Sequence, residues 1–325
     1  MSERGHQVSA VDLSPEMIER ARPITLGVEF RSGSLEELPF PDQTLDLVMC
    51  GLVLTHLPAI FIDKDQQNMV ESQRPSMRAV GLVQVQFIGS GDAFGSGGRF
   101  QTCILLRGAG DPLLIDCGAS SLVAMKRVGV DPSSIRAIVL THLHGDHFAG
   151  IPFLILDGQF SRRTAALMIA GPPGLRKRID AAMEVMFPGS TKIARLFPVE
   201  FVELEEGRAQ AVGHAKVTGF EVEHASGAPP LAVRVEYGEK IVAYSGDTQW
   251  TDALLKAAKG ADLFVAEAYF FDKQIRFHLD FRTLESHREQ LGCRRLVLTH
   301  MSEDMLRRRK DVAIECADDG TIFSL

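Results

Sequence analysis

From Leu82 onward, short apolar runs alternate with segments whose apolar residues recur at helical spacing. Leu82 to Ile88, Cys103 to Leu106, Leu113 to Asp116 and Ala137 to Leu140 read as strands. Ser120 to Val128 and the stretch after Phe148, with Ile151, Phe153, Leu154 and Ile155, read as helices. Further strands are predicted at Lys216 to Glu223, Leu231 to Tyr237, Ile241 to Tyr244, Asp262 to Ala266 and Arg295 to Thr299. Helices near Thr251 to Lys259 and Phe281 to Leu291 flank the last two. This order predicts an α/β protein with two mixed sheets and helices outside them. Between residues 59 and 77 the periodicity fades, and Asp, Gln, Asn, Ser and Arg dominate. The chain therefore divides into a front piece at 1–58, a linker at 59–77 and a main domain at 78–325.

One stretch concentrates the chemistry. His142-Leu143-His144-Gly145-Asp146-His147 places three imidazoles and a carboxylate directly after a buried apolar strand. Neutral imidazole and carboxylate are ligands for zinc and similar divalent ions, so the stretch reads as a metal site. Asp116, at a strand end, is a candidate to orient a ligand imidazole from behind, or else a turn former. Cys117 reads as a small core residue. Gly95-Ser96-Gly97-Gly98-Arg99 reads as a turn, with Arg99 a candidate contact for an anionic substrate.

Composition narrows the classes. The 325 residues are 45% hydrophobic and 24% charged, as in ordinary globular proteins. No apolar run is long enough to span a bilayer and no signal peptide opens the sequence, which points to a cytoplasmic protein without a membrane partner. Five scattered cysteines fit free thiols in a reducing compartment. A net charge of −7 offers no global attraction for a polyanion. Arg176-Lys177-Arg178 and Arg307-Arg308-Arg309-Lys310 read as solvated helix faces.

Residues from about 5 to 58 resemble a fragment of a class I S-adenosylmethionine-dependent methyltransferase. Val8 to Met17 is similar to that family's second strand, and Leu38 to Asp42 with Leu45 to Val48 to its next loop and strand. The glycine-rich first strand has no counterpart after Met1, and Ser34 stands where the family has an acid. The resemblance therefore implies an inactive, truncated fragment that binds no cofactor.

The main domain resembles the metallo-β-lactamase fold, which implies an αββα four-layer sandwich. His-x-His-x-Asp-His is matched in full at His142, His144, Asp146 and His147. The family's remaining ligands fit in order at His224, Asp247 and His300. By the family pattern His142, His144 and His224 hold one divalent ion and Asp146, His147 and His300 the other, with Asp247 bridging. The ions are expected to be zinc, with manganese or iron also compatible. Two ions about 3.5–4 Å apart share a hydroxide and lower its pKa towards roughly 7. Asp146 is expected to orient the attacking water.

Within that fold the chain is similar to the ribonuclease Z-like and phosphodiesterase branch, through Phe87 to Gly91, Ala170 to Leu175 and Ala243 to Thr248. The branch's His-Glu-Ala-Thr motif survives as Glu267-Ala268, with Ala266 at its histidine, and His278 stands at the next histidine motif. The resemblance implies that His278 is a general acid or phosphate contact steadied by Glu267. A basic tRNA-gripping arm is missing: His224 reaches Asp247 through one compact hairpin, and Met301 to Asp304 is acidic. The expected activity is a dinuclear metal phosphodiesterase on a small or cyclic phosphodiester, with RNA the less favoured partner. A ribonuclease Z-like tRNA 3′-end endonuclease is the alternative, followed by a thioester or lactone hydrolase and a non-catalytic interaction protein. A homodimer is compatible with either of the first two.

Overall fold

The computed structural model describes residues 8–12, 28–32, 82–108 and 110–325. The chain separates into two units, Met1–Ser76 and Met77–Leu325. In the first, β1 (Val8–Asp12) and β2 (Val28–Ser32) pair in parallel, Val8 opposite Val28. Ser34, the stretches from Leu38 to Val48 and the linker expected at 59–77 lie outside the described residues.

The second unit holds two seven-stranded sheets. One contains β3 (Gln84–Gly89), β4 (Cys103–Arg107), β5 (Leu113–Ile115), β6 (Ala137–Val139), β7 (Leu167–Gly171) and β8 (Val199–Glu203), with β16 (Ile322–Ser324) at its edge beside β3. The other runs in space from β9 (Ala209–Val212) through β10 (Ala215–Glu221), β11 (Leu231–Tyr237), β12 (Lys240–Tyr244), β13 (Leu263–Glu267) and β14 (Leu296–Thr299) to β15 (Glu315–Cys316). In each sheet the antiparallel strands give way to parallel ones, from β5 onward in the first and from β12 onward in the second.

The layers follow from burial. Val85, Phe87, Leu106 and Val139 of the first sheet pack with Val217, Val233, Val242, Val265 and Val297 of the second in a central core. The other face of the first sheet is covered by α1 (Ser121–Arg127), α3 (Gly150–Phe160) and α4 (Leu175–Met186), reached through the short α2 (Gly145–Phe148). Leu254, Phe281, Leu284 and Met305 of α5 (Ala253–Ala258), α6 (Phe281–Ser286) and α7 (Glu303–Arg307) cover the second sheet. Apolar residues on both faces of the parallel strands make this four-layer arrangement the way to bury them. It is the expected αββα sandwich.

The predicted strands fall within a few residues of the observed ones, and Leu231–Tyr237 coincides. The helix expected over Phe281 to Leu291 ends at Ser286 and continues as a 3₁₀ turn over Arg288–Leu291. No strand was predicted for β7, β8, β9, β15 or β16. None of the helices among the described residues is long and apolar enough to cross a membrane.

Candidate metal centre

The strands of the second sheet and β6 of the first deliver the polar residues to one end of the sandwich. His142 follows β6, His224 follows β10, Asp247 follows β12 and His300 follows β14, so all four leave the carboxyl ends of their strands. Open α/β sheets bind their ligands at that end. Gly145 starts α2 straight after the β6 loop and turns Asp146 and His147 inward, where both are buried.

Three sets of donor atoms result, the third being Asp247, Glu267, His278 and His300, which shares two members with the second. His142, His144 and His224 converge within 4.8 Å of one another, and so do Asp146, His147, Asp247 and His300. Asp247 lies beside the first set as well. Its Oδ2 lies 3.2 Å from His300 Nε2, 3.9 Å from His142 Nε2 and 4.0 Å from His224 Nε2, and its Oδ1 lies 3.3 Å from His147 Nε2.

The outer nitrogens of the five imidazoles all meet acceptors. His147 Nδ1 donates to Asp116 Oδ2 at 2.7 Å, and His224 Nδ1 to the Phe277 carbonyl at 2.8 Å. Thr141 Oγ1 gives its proton to Asp116 and so accepts from His142 Nδ1 at 3.1 Å. In the same way Thr102 Oγ1 donates to the Gly91 carbonyl and accepts from His300 Nδ1 at 3.2 Å. His144 Nε2 donates to the Ala225 carbonyl at 3.1 Å. Each tie fixes a tautomer whose lone pair points into the cluster, the arrangement that outer partners impose on metal ligands. The inner Nε2 atoms of His142 and His147 and Oδ1 of Asp247 are buried without a hydrogen-bond partner. His144 Nδ1 and His224 Nε2 face each other at 3.0 Å, two lone pairs that need an electropositive centre between them. Orphaned buried acceptors are costly, and these residues fit a pair of divalent ions.

Charge supports the same fit. Burial holds the His142 imidazole neutral, well below its usual pKa, and it lowers His224 as well. Burial would also lower His147, but Asp247, Asp146 and Asp116 outweigh it and hold a proton there tightly. Asp247 is the converse: burial alone would raise it, yet His300, His147 and His142 keep it ionised well below the carboxylate range. A negative cluster that stabilises a buried proton stabilises a cation in its place.

Asp116 is fully buried, and besides His147 it accepts from Thr141 N at 2.8 Å and Thr141 Oγ1 at 2.8 Å. Beside the cluster, Glu267 accepts His278 Nδ1 at 3.0 Å, Leu279 N at 3.3 Å and the amide of Thr248. Burial opposes a charge on His278, but the hydrogen bond and charge of Glu267 lift its pKa to about 9. The Tyr269 ring stacks on His278 at 4.7 Å, a contact that sequence reasoning missed. Arg99 is no free anion contact. Its guanidinium pairs with Asp318, and only 10% of the side chain is exposed.

Three comparisons bear on this geometry. The chain is 28% identical to the ribonuclease Z of Methanothermobacter thermautotrophicus over 282 residues, 73% of this chain and 91% of that protein. The human short-form tRNase Z structure superposes with a TM-score of 0.61 at 25% identity, covering 74% of this chain and 98% of that one. The metallo-β-lactamase fold protein YhfI from Bacillus subtilis covers 75% and 100%, with a TM-score of 0.60 at 22% identity. Fold, donor set and relatives define a metal-dependent hydrolase of the metallo-β-lactamase fold, related to the ribonuclease Z group. Within that class the chain belongs to the family described as Anti-Pycsar protein Apyc1, which matches residues 83–322. A methyltransferase domain family matches residues 1–74, in accord with the resemblance of the front piece.

Proposed function

We propose that the domain from about residue 78 to 325 hydrolyses a small or cyclic phosphodiester at a two-metal centre. The observation that carries this reading is the set of five imidazoles tied from outside, whose inner nitrogens gather in two groups, His142, His144 and His224 in one and His147 and His300 with Asp146 and Asp247 in the other. His142, His144 and His224 would hold one ion, Asp146, His147 and His300 the other, and Asp247 would reach both. When bound, such a pair activates water and neutralises the charge that develops on the phosphoryl oxygens. Zinc suits the donor set best.

The chain's own residues supply the rest. Asp146 orients the attacking water. His278, charged and steadied by Glu267 at 3.0 Å, protonates the departing oxygen. General acid help of that kind contributes about 10²–10⁴-fold. The preference for a small substrate rests on the short link from His224 to Asp247. It is filled by the antiparallel pair β11 and β12 and carries no basic insertion. Cleavage at RNA 3′ ends is the second reading, favoured by the ribonuclease Z relative, 91% of which is covered. The division proposed for the chain is a methyltransferase-like front piece at 1–58, a linker at 59–77 and the hydrolase domain at 78–325.

Hydrolysis of bis(p-nitrophenyl) phosphate with added zinc or manganese tests the reaction, beside an Asp247→Ala variant and a chelated control. Turnover that is lost in the variant and the control supports the reading. Absence of turnover by protein with two ions bound refutes it. Cyclic nucleotides and a precursor tRNA, assayed side by side, then decide between the two substrate classes.

A further inference from the structure

His224 is held from outside by a backbone carbonyl, and the residue that offers it is strained. Phe277 has φ 72°, in the left-handed region that bulky residues rarely enter. Its carbonyl accepts His224 Nδ1 at 2.8 Å, while its N–H donates to Gln249 Oε1 at 3.2 Å. Gln249 is anchored in turn, for its own N–H donates to the Glu223 carbonyl at 3.2 Å. Thr248 Oγ1 completes the frame: it accepts the Glu223 N–H at 3.0 Å and donates to the Gln249 carbonyl at 2.7 Å. The loop before His224, the loop after Asp247 and the segment before His278 are thus joined around one ring. Strain of this kind persists only where the surroundings over-determine it. Here Phe277 lies in a two-residue turn closed by the bridge between Ile275 and His278, and Gln249 adds the side-chain bond to it.

We propose that Gln249 is a positioning residue, whose amide oxygen locks Phe277 in its left-handed form and so aims the Phe277 carbonyl at His224 Nδ1. The inference rests on the two-ion reading of the centre. Without the lock, Phe277 relaxes to negative φ, its peptide turns, and His224 loses both its tautomer and its orientation. The next two residues are held independently, since His278 Nδ1 and Leu279 N both bond to Glu267. Damage is therefore confined to the ion held by His142, His144 and His224.

The test is zinc binding by the full chain, measured by competition with a chelating dye. Gln249→Met keeps the length of the side chain and removes the acceptor. It is expected to weaken one of two zinc ions about 10–100-fold, the range for loss of an outer partner, and to leave the other unchanged. Gln249→Glu keeps an oxygen at the same place and is expected to restore most of that affinity. Glycine occupies positive φ freely, so adding Gln249→Met to Phe277→Gly is expected to cost less than Gln249→Met alone. Both zinc ions binding as in the parent, equal weakening of both, or an undiminished cost in the glycine background would overturn the role of Gln249. Fewer than two zinc ions in the parent protein would instead overturn the two-ion reading itself.

Discussion

Asp116 offers the sharpest test of how the centre is preorganised. Replacing it with Ala would orphan the buried Thr141 N–H, at about 1–3 kcal/mol. It would also break the buried Asp116–His147 pair, at about 3–5 kcal/mol. Against a total stability of about 5–15 kcal/mol, that variant risks unfolding and would teach little. Asp116→Asn keeps shape and volume but can no longer accept all three bonds. The Thr141 N–H is a fixed donor, so the Asn carbonyl must stay on it, 2.8 Å away in the parent. The amide nitrogen then faces Thr141 Oγ1 and His147 Nδ1. The hydroxyl can rotate to accept on one lone pair while its other lone pair keeps the His142 Nδ1 proton. His147 can accept only by moving its proton to Nε2, which puts a hydrogen where a lone pair should face the cluster.

The expected result is a folded protein with one weakened ion. One charged hydrogen bond is lost, so chelated Asp116→Asn should unfold about 1.5–3 kcal/mol more easily in urea. Zinc affinity at the Asp146, His147 and His300 group should fall about 10–100-fold, as for other lost outer partners. Dye competition resolves that change from the second ion. If Asp116→Asn binds both zinc ions as tightly as the parent, the outer hydrogen bonds do not set the inward lone pairs, and the reasoning about tautomers is wrong.

Other outcomes follow from the same geometry. Zinc at 100 times its dissociation constant should stabilise the parent by about 2.7 kcal/mol per site, read as a rise in Tm, and Asp247→Ala should lose most of the gain. His278→Ala should slow phosphodiesters with poor leaving groups by about 10²–10⁴-fold while sparing p-nitrophenyl esters, whose leaving group needs no proton. Equal loss on both substrates would remove His278 from the acid role. In metal-free protein His278 has its pKa raised from 6.5 to about 9. Its contribution to stability is therefore complete below the unfolded value and disappears as pH rises through the folded one. The stability gap between parent and His278→Ala should narrow over that window in urea titrations, and a flat gap would contradict it.

Much of the centre was legible because its chemistry is local. His142 to His147 sit within six residues after one strand, so spacing alone exposes them. His224, Asp247 and His300 carry no such local signal and were found through the order of a family pattern. The supporting shell was hidden for a physical reason. Thr102 bonds His300 across 198 positions, and Gln249 reaches Phe277 across 28. No periodicity records such meetings. Arg99 misled because a Gly-rich turn with an arginine resembles an anion site, whereas the fold brings Asp318 to it from 219 residues away. Among the missed strands, β8 is Val-Glu-Phe-Val-Glu at a sheet edge, where half-exposed alternation also suits a loop.

The backbone shows where the cost of this centre lies. Among the described residues four non-glycines have positive φ, and three of them are Asp116, Phe277 and His300. Such conformations cost about 1–3 kcal/mol each. Each is held by a specific bond: Asp116 N–H to the Val139 carbonyl at 2.9 Å, His300 N–H to the Ser90 carbonyl at 3.1 Å, and Phe277 N–H to Gln249. A chain selected for stability alone would place glycine or asparagine at such positions. Here two of the three must carry a carboxylate or an imidazole, and the third must offer a carbonyl at a fixed angle. The strain thus falls on residues that hold the inward lone pairs, and the buried acceptors those lone pairs leave unpaired add to it. Bound ions would relieve the second cost but not the first, so the strained backbone must be supported by the two sheets whether or not metal is present.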